Sequence, residues 1–252
     1  MSVHYRDAAA PKGMRIYAIG DVHGRRDLLD RMHELIAAEI ERDRPADWRI
    51  IHLGDYVDRG PDSAGVVERL AHRTADDPRV LALVGNHDLG FLDFLAVPQQ
   101  DGLFATHGGV DTARSYGVGL NVHDPVALTD GWTELEAAVP ARHRDFLASL
   151  PFSLAFGDFF FCHAGIRPGV PLAQQAPDDL VWIRQEFHRW PHLHPKVVVH
   201  GHTPTHEPGI FGNRVNLDTG AWESGRLTAL VIEGTEKRFL QATAGSAAIR
   251  PD

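Results

Sequence analysis

Three short apolar runs in the first hundred residues each stop at a glycine-bounded polar motif, and helical spacing fills the gaps between them. Arg15 to Ile19 leads into GDVHG (Gly20 to Gly24), Arg49 to Leu53 into GDYVDRG (Gly54 to Gly60), and Val80 to Val84 into GNHD (Gly85 to Asp88). Short apolar runs closed by glycine read as buried strands. Leu28, Leu29, Met32, Leu35, Ile36 and Ile40 follow a helical period after the first motif, Val66, Val67 and Leu70 mark a second helix, and Leu89 to Leu95 a third. Such alternation requires parallel pairing with right-handed crossovers. Ligands of parallel sheets gather beyond the carboxyl ends of the strands, where all three motifs fall.

Between Phe91 and Phe152 the pattern loosens into short, mostly helical pieces around Gly108, Gly109, Gly117, Gly119, Pro125 and Pro140, which reads as an insertion over the site. The second half is rich in strands: Phe152 to Phe156, Phe159 to Cys162, Lys196 to Val199, Arg214 to Leu217 and Leu227 to Ile232. It predicts a second sheet packed on the first. The polar, alanine-rich residues 1–13 look like a mobile tail. The expected organisation is therefore one α/β domain over 14–252 with a mostly helical insertion at about 91–151. A length of 252 residues suits a single continuous core.

The motifs carry a ligand set. Asp21, His23, Asp55, Asn86, His163 and His202 offer oxygen and nitrogen donors at the ends of expected strands, the last two in HAG (His163 to Gly165) and HGHT (His200 to Thr203). Two divalent cations a few ångströms apart can activate water and neutralise the charge of an in-line phosphoryl displacement, and they need a bridging carboxylate. Asp55 is the expected bridge, with Asp21 and His23 on one ion and Asn86, His163 and His202 on the other. Four positive charges against two carboxylates leave a surplus of two, to which Arg59 and Arg184 add, so an anionic phosphate is welcome locally. Globally it is not: 25 basic against 34 acidic residues give a net charge of −9, which argues against nucleic acid as a partner. Donors without thiolate suit manganese first, with iron or zinc as alternatives.

The motifs GDVHG, GDYVDRGPDS, GNHD, HAGIRPG, VWIRQEF and HGHTP, in this order over Met14 to Ile232, resemble those of the calcineurin-like metallophosphoesterases, and within them the bacterial branch of the phosphoprotein phosphatases. The resemblance implies two packed mixed β-sheets flanked by helices, two metal ions on the six ligands above, and hydrolysis of phosphoserine or phosphothreonine, or else phosphotyrosine, on a protein or peptide. It implies a phosphate clamp at Arg59, a proton-donating His87 oriented by Asp58, and a second phosphate contact at Arg184. The alternative for Asp58 is a salt bridge to Arg59. Phosphodiesterases of the superfamily carry GHxH where this chain has Pro204, which favours monoesters. The nearest rival is the symmetric diadenosine tetraphosphate hydrolase group, which shares GDVHG and GNHDL but tends to lose the aspartate that Asp58 supplies. A non-catalytic phosphate-binding protein is a remoter alternative, because every ligand position is filled.

Other features read as structural. His188, His192, His194 and His200, interrupted by Pro191 and Pro195, predict a solvated loop before a strand. The single cysteine, Cys162, excludes an internal disulfide, suits a reducing cytoplasm and is expected to fill core. His107 is read as part of a capped turn, while Arg114 and Tyr116 are left open. No apolar run approaches the roughly 20 residues that span a bilayer, so no membrane partner is expected.

Overall fold

A computed structural model describes residues 2–244. The chain runs β1 (Met14–Ile19), α1 (Arg26–Asp43), β2 (Asp47–His52), α2 (Ser63–Asp76), β3 (Val80–Ala82) and α3 (Asn86–Ala96). Four helices follow: α4 (Leu103–Thr106), α5 (Gly109–Ser115), α6 (Pro125–Ala138) and α7 (Ala141–Ser149). The second half holds β4 (Ser153–Phe156), β5 (Phe159–Cys162), α8 (Pro177–Trp182), α9 (Gln185–His188), β6 (Val197–His200), β7 (Gly209–Ile210), β8 (Arg214–Asn216), α10 (Ala221–Ser224), β9 (Arg226–Glu233) and β10 (Glu236–Thr243). Residues 245–252, at the end of the expected domain, lie outside the described residues.

Two mixed five-stranded sheets stack between helical layers, in the orders β10-β9-β1-β2-β3 and β4-β5-β6-β8-β7. Strand alternation decides which side chains meet where. Ile16, Ala18 and Ile51 from the first sheet meet Phe159, Phe161, Val197 and Val199 from the second in a core between the sheets. The opposite faces serve the outer layers. Tyr17, Ile19 and Ile50 pack under α1 and α2 through Leu28, Met32, Ile36, Val66 and Leu70. Phe160, Cys162 and Val198 pack against Leu180, Ile183 and Phe187 of the α8–α9 segment, so Cys162 fills core as expected.

The expected parallel unit is present, with β1 parallel to β2 and β2 parallel to β3. Two expectations need correction. The strand Arg226–Glu233 joins the first sheet, antiparallel to β1 with Ala18 opposite Leu230, rather than the second. It turns through Gly234 and Thr235 into β10, a strand that its polar sequence EKRFLQAT conceals. The second correction concerns residues 2–13, which are docked rather than loose. Ala8 and Ala10 are buried in the core between the sheets. Tyr5 N–H donates to Gly212 O (2.8 Å), Ala10 N–H to Gly234 O (2.9 Å), and Ala9 O accepts from Asp158 N–H (3.0 Å). The segment thus ties the β9–β10 turn to the second sheet. Among the described residues no helix is long and apolar enough to cross a membrane.

Candidate metal centre

The carboxyl ends of β1, β2, β3, β5 and β6 point to one place and deliver all six expected ligands there, each buried. Donor atoms of Asp55, His163 and His202 lie within 4.8 Å of one another, and so do those of His23, Asp55 and His87. Asp55 belongs to both groups, the position a bridge requires. Asn86 joins the first group, its Oδ1 lying 2.9 Å from His163 Nε2 and 2.8 Å from His202 Nδ1. Asp21 falls outside both groupings. Its carboxylate accepts the backbone N–H of His202 (3.0 Å), close enough to Gly201 that a Cβ there would lie 1.9 Å from Asp21 Oδ1. In its place beside His23 stands His87, the residue read as the proton donor.

The ring orientations suit cation binding. His23 Nδ1–H donates to Val57 O (2.7 Å) and His163 Nδ1–H to Leu53 O (2.9 Å), which orients both rings and leaves each Nε2 aimed inward. Those Nε2 atoms lie 3.4 Å from opposite oxygens of Asp55. Asp55 is itself held from behind: Asp88, at the third helical position of α3, accepts the N–H groups of Gly85, Asp55 and Tyr56 at 2.9 Å each.

Backbone strain concentrates here. Among the described residues six non-glycine residues have positive φ, and five of them are His23, Asp55, Asp58, Arg59 and His202; the sixth, Arg44, caps α1. Left-handed backbone at non-glycine residues costs on the order of 1 kcal/mol or more each and persists where the surroundings over-determine it. Neither periodicity nor propensity announces it.

Beside the ligand cluster, His87 Nδ1 lies 2.6 Å from Asp58 Oδ2, with both side chains buried. Asp58 therefore pairs with His87, as the resemblance implies, and not with Arg59. Thr112 on α5 donates to the other carboxylate oxygen (2.9 Å), so α5 buttresses the pair. The α4–α5 turn also buttresses Arg59. Gly108 O accepts the Arg59 N–H (3.2 Å), and Gly108, at φ +107°, sits where a Cβ would come within 2.6 Å of that nitrogen. The Arg59 guanidinium reaches His23 Nε2 (3.0 Å) and His87 Nε2 (2.9 Å) and lies 5.5 Å from the ring centre of the half-exposed Trp222. Arg184 Nε donates to His202 Nε2 (2.9 Å), which makes its visible contact a ligand ring. Trp182 stands edge-on to the same ring at 6.0 Å.

The charge balance fits cations. Five buried carboxylates, Asp21, Asp55, Asp58, Asp88 and Asp218, share this interior. Burial, then repulsion from Asp218, lifts Asp21 well above the usual carboxylate range. Burial and Asp55 push Asp88 up to about 7, and burial is the main cause raising Asp218 to about 6. Asp55 goes the other way: burial opposes its charge, but His163 and His87 hold it well below the normal value. Burial opposes the His163 imidazolium too, yet Asp55 and Asp21 raise it to about 10. Burial lowers His23 to about 3 and, with His163, His202 to about 2. The neutral imidazoles of His23 and His202 and an excess of buried carboxylates converging on common points form a thiolate-free donor set that divalent ions would neutralise, taking at His163 the place of the proton that Asp55 and Asp21 favour there.

Asp218 is a member of this interior that no sequence motif singles out; its one signal is an aspartate in the Gly-ended turn NLDTG, where its Oδ1 accepts the Gly220 N–H (2.9 Å). The remaining side chains are structural. His107 is exposed at the end of α4. Arg114 pairs with Asp111, and Tyr116 stacks on Phe91 while bonding His143 Nδ1 (2.9 Å). The loop of histidines is less solvated than expected, since His194 and His200 are buried against Phe187, with ring centres 5.6 and 5.1 Å away.

A stacked pair of mixed sheets whose strand ends converge on buried aspartate, histidine and asparagine donors defines a metal-dependent phosphoesterase architecture. The profile of the calcineurin-like phosphoesterases matches residues 14–230, and the chain belongs to that family. It is 26% identical over 242 residues to an asymmetrical bis(5'-nucleosyl)-tetraphosphatase PrpE of Halalkalibacterium halodurans, covering 86% of this chain and 89% of that one. A crystal structure provisionally named a diadenosine tetraphosphatase superposes with a TM-score of 0.64 at 21% identity, covering 94% of this chain and 100% of that one. The cold-active protein-tyrosine phosphatase of a psychrophilic Shewanella superposes at 0.54 with 16% identity, covering 94% and 84%. These two show the shared fold. Family membership implies divalent metal ions and a hydrolase.

Proposed function

We propose that the protein removes phosphate from phosphoserine or phosphothreonine, and secondarily phosphotyrosine, on proteins, with two divalent ions, manganese first, held by Asp21, His23, Asp55, Asn86, His163 and His202. Ions in that set would activate water and polarise the phosphoryl group. Arg59, with its guanidinium between His23 and His87, turns to the equatorial phosphate oxygens, and Arg184 adds a second donor after steadying His202. His87 delivers its proton to the leaving oxygen. Burial alone would disfavour its imidazolium, but Asp55 and Asp58 outweigh burial and raise it above the ordinary histidine range.

The observation that carries this reading is the buried 2.6 Å contact between His87 and Asp58. An alkoxide leaves poorly without a proton, whereas a phosphate-anhydride leaving group needs none, so an oriented general acid supports ester cleavage. A second reading, asymmetrical cleavage of dinucleoside tetraphosphates, is favoured by the relatives' names and by the partly exposed indoles of Trp182 and Trp222 beside the centre. It displaces the symmetric cleavage of the rival considered from the motifs. Turnover of a phosphopeptide panel against diadenosine tetraphosphate, with manganese, iron and zinc in turn, decides between them. The proposal requires kcat/KM to favour phosphopeptides; dominant formation of nucleoside triphosphate and monophosphate would overturn it.

A further inference from the structure

A cavity of about 210 Å³ opens beside the centre, between α3, the loop after it and α8. Asn86 is one of its walls, so it abuts the ligand cluster directly; Phe94 and Leu103 give it apolar flanks, and Trp182 contributes an indole whose residue is 45% exposed. Asp93 and Asp178 line it as well. Both are exposed, and among the described residues neither takes part in an ion pair. Nearby acids are treated differently: Asp179, the next residue along α8, is bound by Arg167 at 2.6 Å.

Apolar flanks, an available aromatic face and two unneutralised carboxylates are what a long cationic side chain needs, because its methylenes cover apolar surface while its charge meets the acids and the indole. We infer that this cavity receives an arginine or lysine flanking the phosphorylated residue of a peptide substrate. The inference rests on the phosphoprotein reading and deepens it: phosphate goes to the metal centre and a neighbouring cation to the slot. A polyphosphate chain laid across the same acids would be repelled, so the two carboxylates favour a peptide over a dinucleotide.

The test uses manganese-loaded full-length protein and phosphoserine peptides identical except for one arginine, methionine or glutamate, scanned through three positions on each side of the phosphoserine. One position is expected to show kcat/KM about five- to tenfold higher for arginine than for methionine, the size of two partly exposed ion pairs with a cation–π contact. Replacing Asp93→Asn together with Asp178→Asn should bring that ratio close to one. Asp93→Lys with Asp178→Lys should turn the preference to glutamate. A native protein indifferent to arginine at every position, or a preference that survives both double variants, would overturn the slot while leaving phosphopeptide hydrolysis intact. Turnover of diadenosine tetraphosphate with none of any phosphopeptide would overturn the phosphoprotein reading and the slot with it.

Discussion

Asp58→Asn tests the proposed proton delivery by His87 separately from the rest of the centre. Asp58 is fully buried, lies 2.6 Å from His87 Nδ1, and accepts Thr112 Oγ1 at 2.9 Å. An asparagine of the same shape keeps an oxygen for Thr112 but removes the anion that stabilises the imidazolium. A charge-assisted hydrogen bond contributes about 1.5–3 kcal/mol. If that stabilisation belongs to the proton-donating state, kcat on an alkyl phosphate should fall by roughly 10- to 150-fold, at about 1.4 kcal/mol per decade. KM and bound metal should change little. The loss should shrink on nitrophenyl phosphate, whose leaving group departs without help. Steady-state kinetics on a leaving-group series, with metal content measured on the same samples, reads all three quantities. An equal loss on every leaving group, or loss of metal alongside activity, would refute the reasoning and reduce Asp58 to a structural support.

Other outcomes follow from the same geometry. The buried His33–His52 pair, linked Nε2 to Nε2 at 2.9 Å, is held neutral by burial, which lowers His33 to about 2 and His52 to about 4. Depressed folded values mean that stability is complete above the unfolded value of about 6.5 and is lost as pH falls toward the folded ones, by up to about 1.4 kcal/mol per pH unit for each histidine. Denaturant titrations at pH 7.5 and 5.5 should show a steeper loss in the native protein than in a His33→Phe, His52→Leu double variant, and parallel losses would reject the assignment. Deleting residues 2–13 removes buried Ala8 and Ala10 and several backbone hydrogen bonds, each contributing about 1 kcal/mol. Calorimetry should find Tm lower by roughly 5–10 °C, at about 2–4 °C per kcal/mol for a chain of this size, whereas an unchanged Tm would mean the segment is held by nothing that matters. Gly108→Ala, with a Cβ 2.6 Å from Arg59 N, should raise KM for phosphate esters if Arg59 makes the proposed phosphate contact; an unaltered KM would disconnect the α4–α5 turn from that contact.

The fold was legible where side-chain pattern alone decides it. Ile16 to Ile19, Ile50 to Leu53 and Phe159 to Cys162 are short, mostly apolar runs that read as buried strands, and the polar motifs at their ends mark where ligands collect. What sequence hides is what depends on partners. EKRFLQAT reads as polar surface until Glu236 is seen opposite Glu233 across a two-residue turn, although Gly234-Thr235 after an apolar run is a hairpin signal. Arg226–Glu233 looks the same whichever sheet it joins. Ala8 and Ala10 carry little apolar weight in a pattern, yet both are buried in the core between the sheets. Within the site, residue types named the ligand candidates, but not the left-handed backbone at Asp55 and His202, nor the three N–H groups gathered by Asp88, nor the charge of Asp218. Those are properties of the assembled loops.

Metal stoichiometry tests the central claim most directly. Protein stripped with chelator, reloaded with manganese, desalted and measured by inductively coupled plasma emission should hold two ions per chain, and Asp55→Asn, without the one carboxylate common to both donor groups, should hold fewer than one. Two ions retained by the Asp55→Asn variant, or never more than one in the native protein, would contradict the shared dinuclear centre.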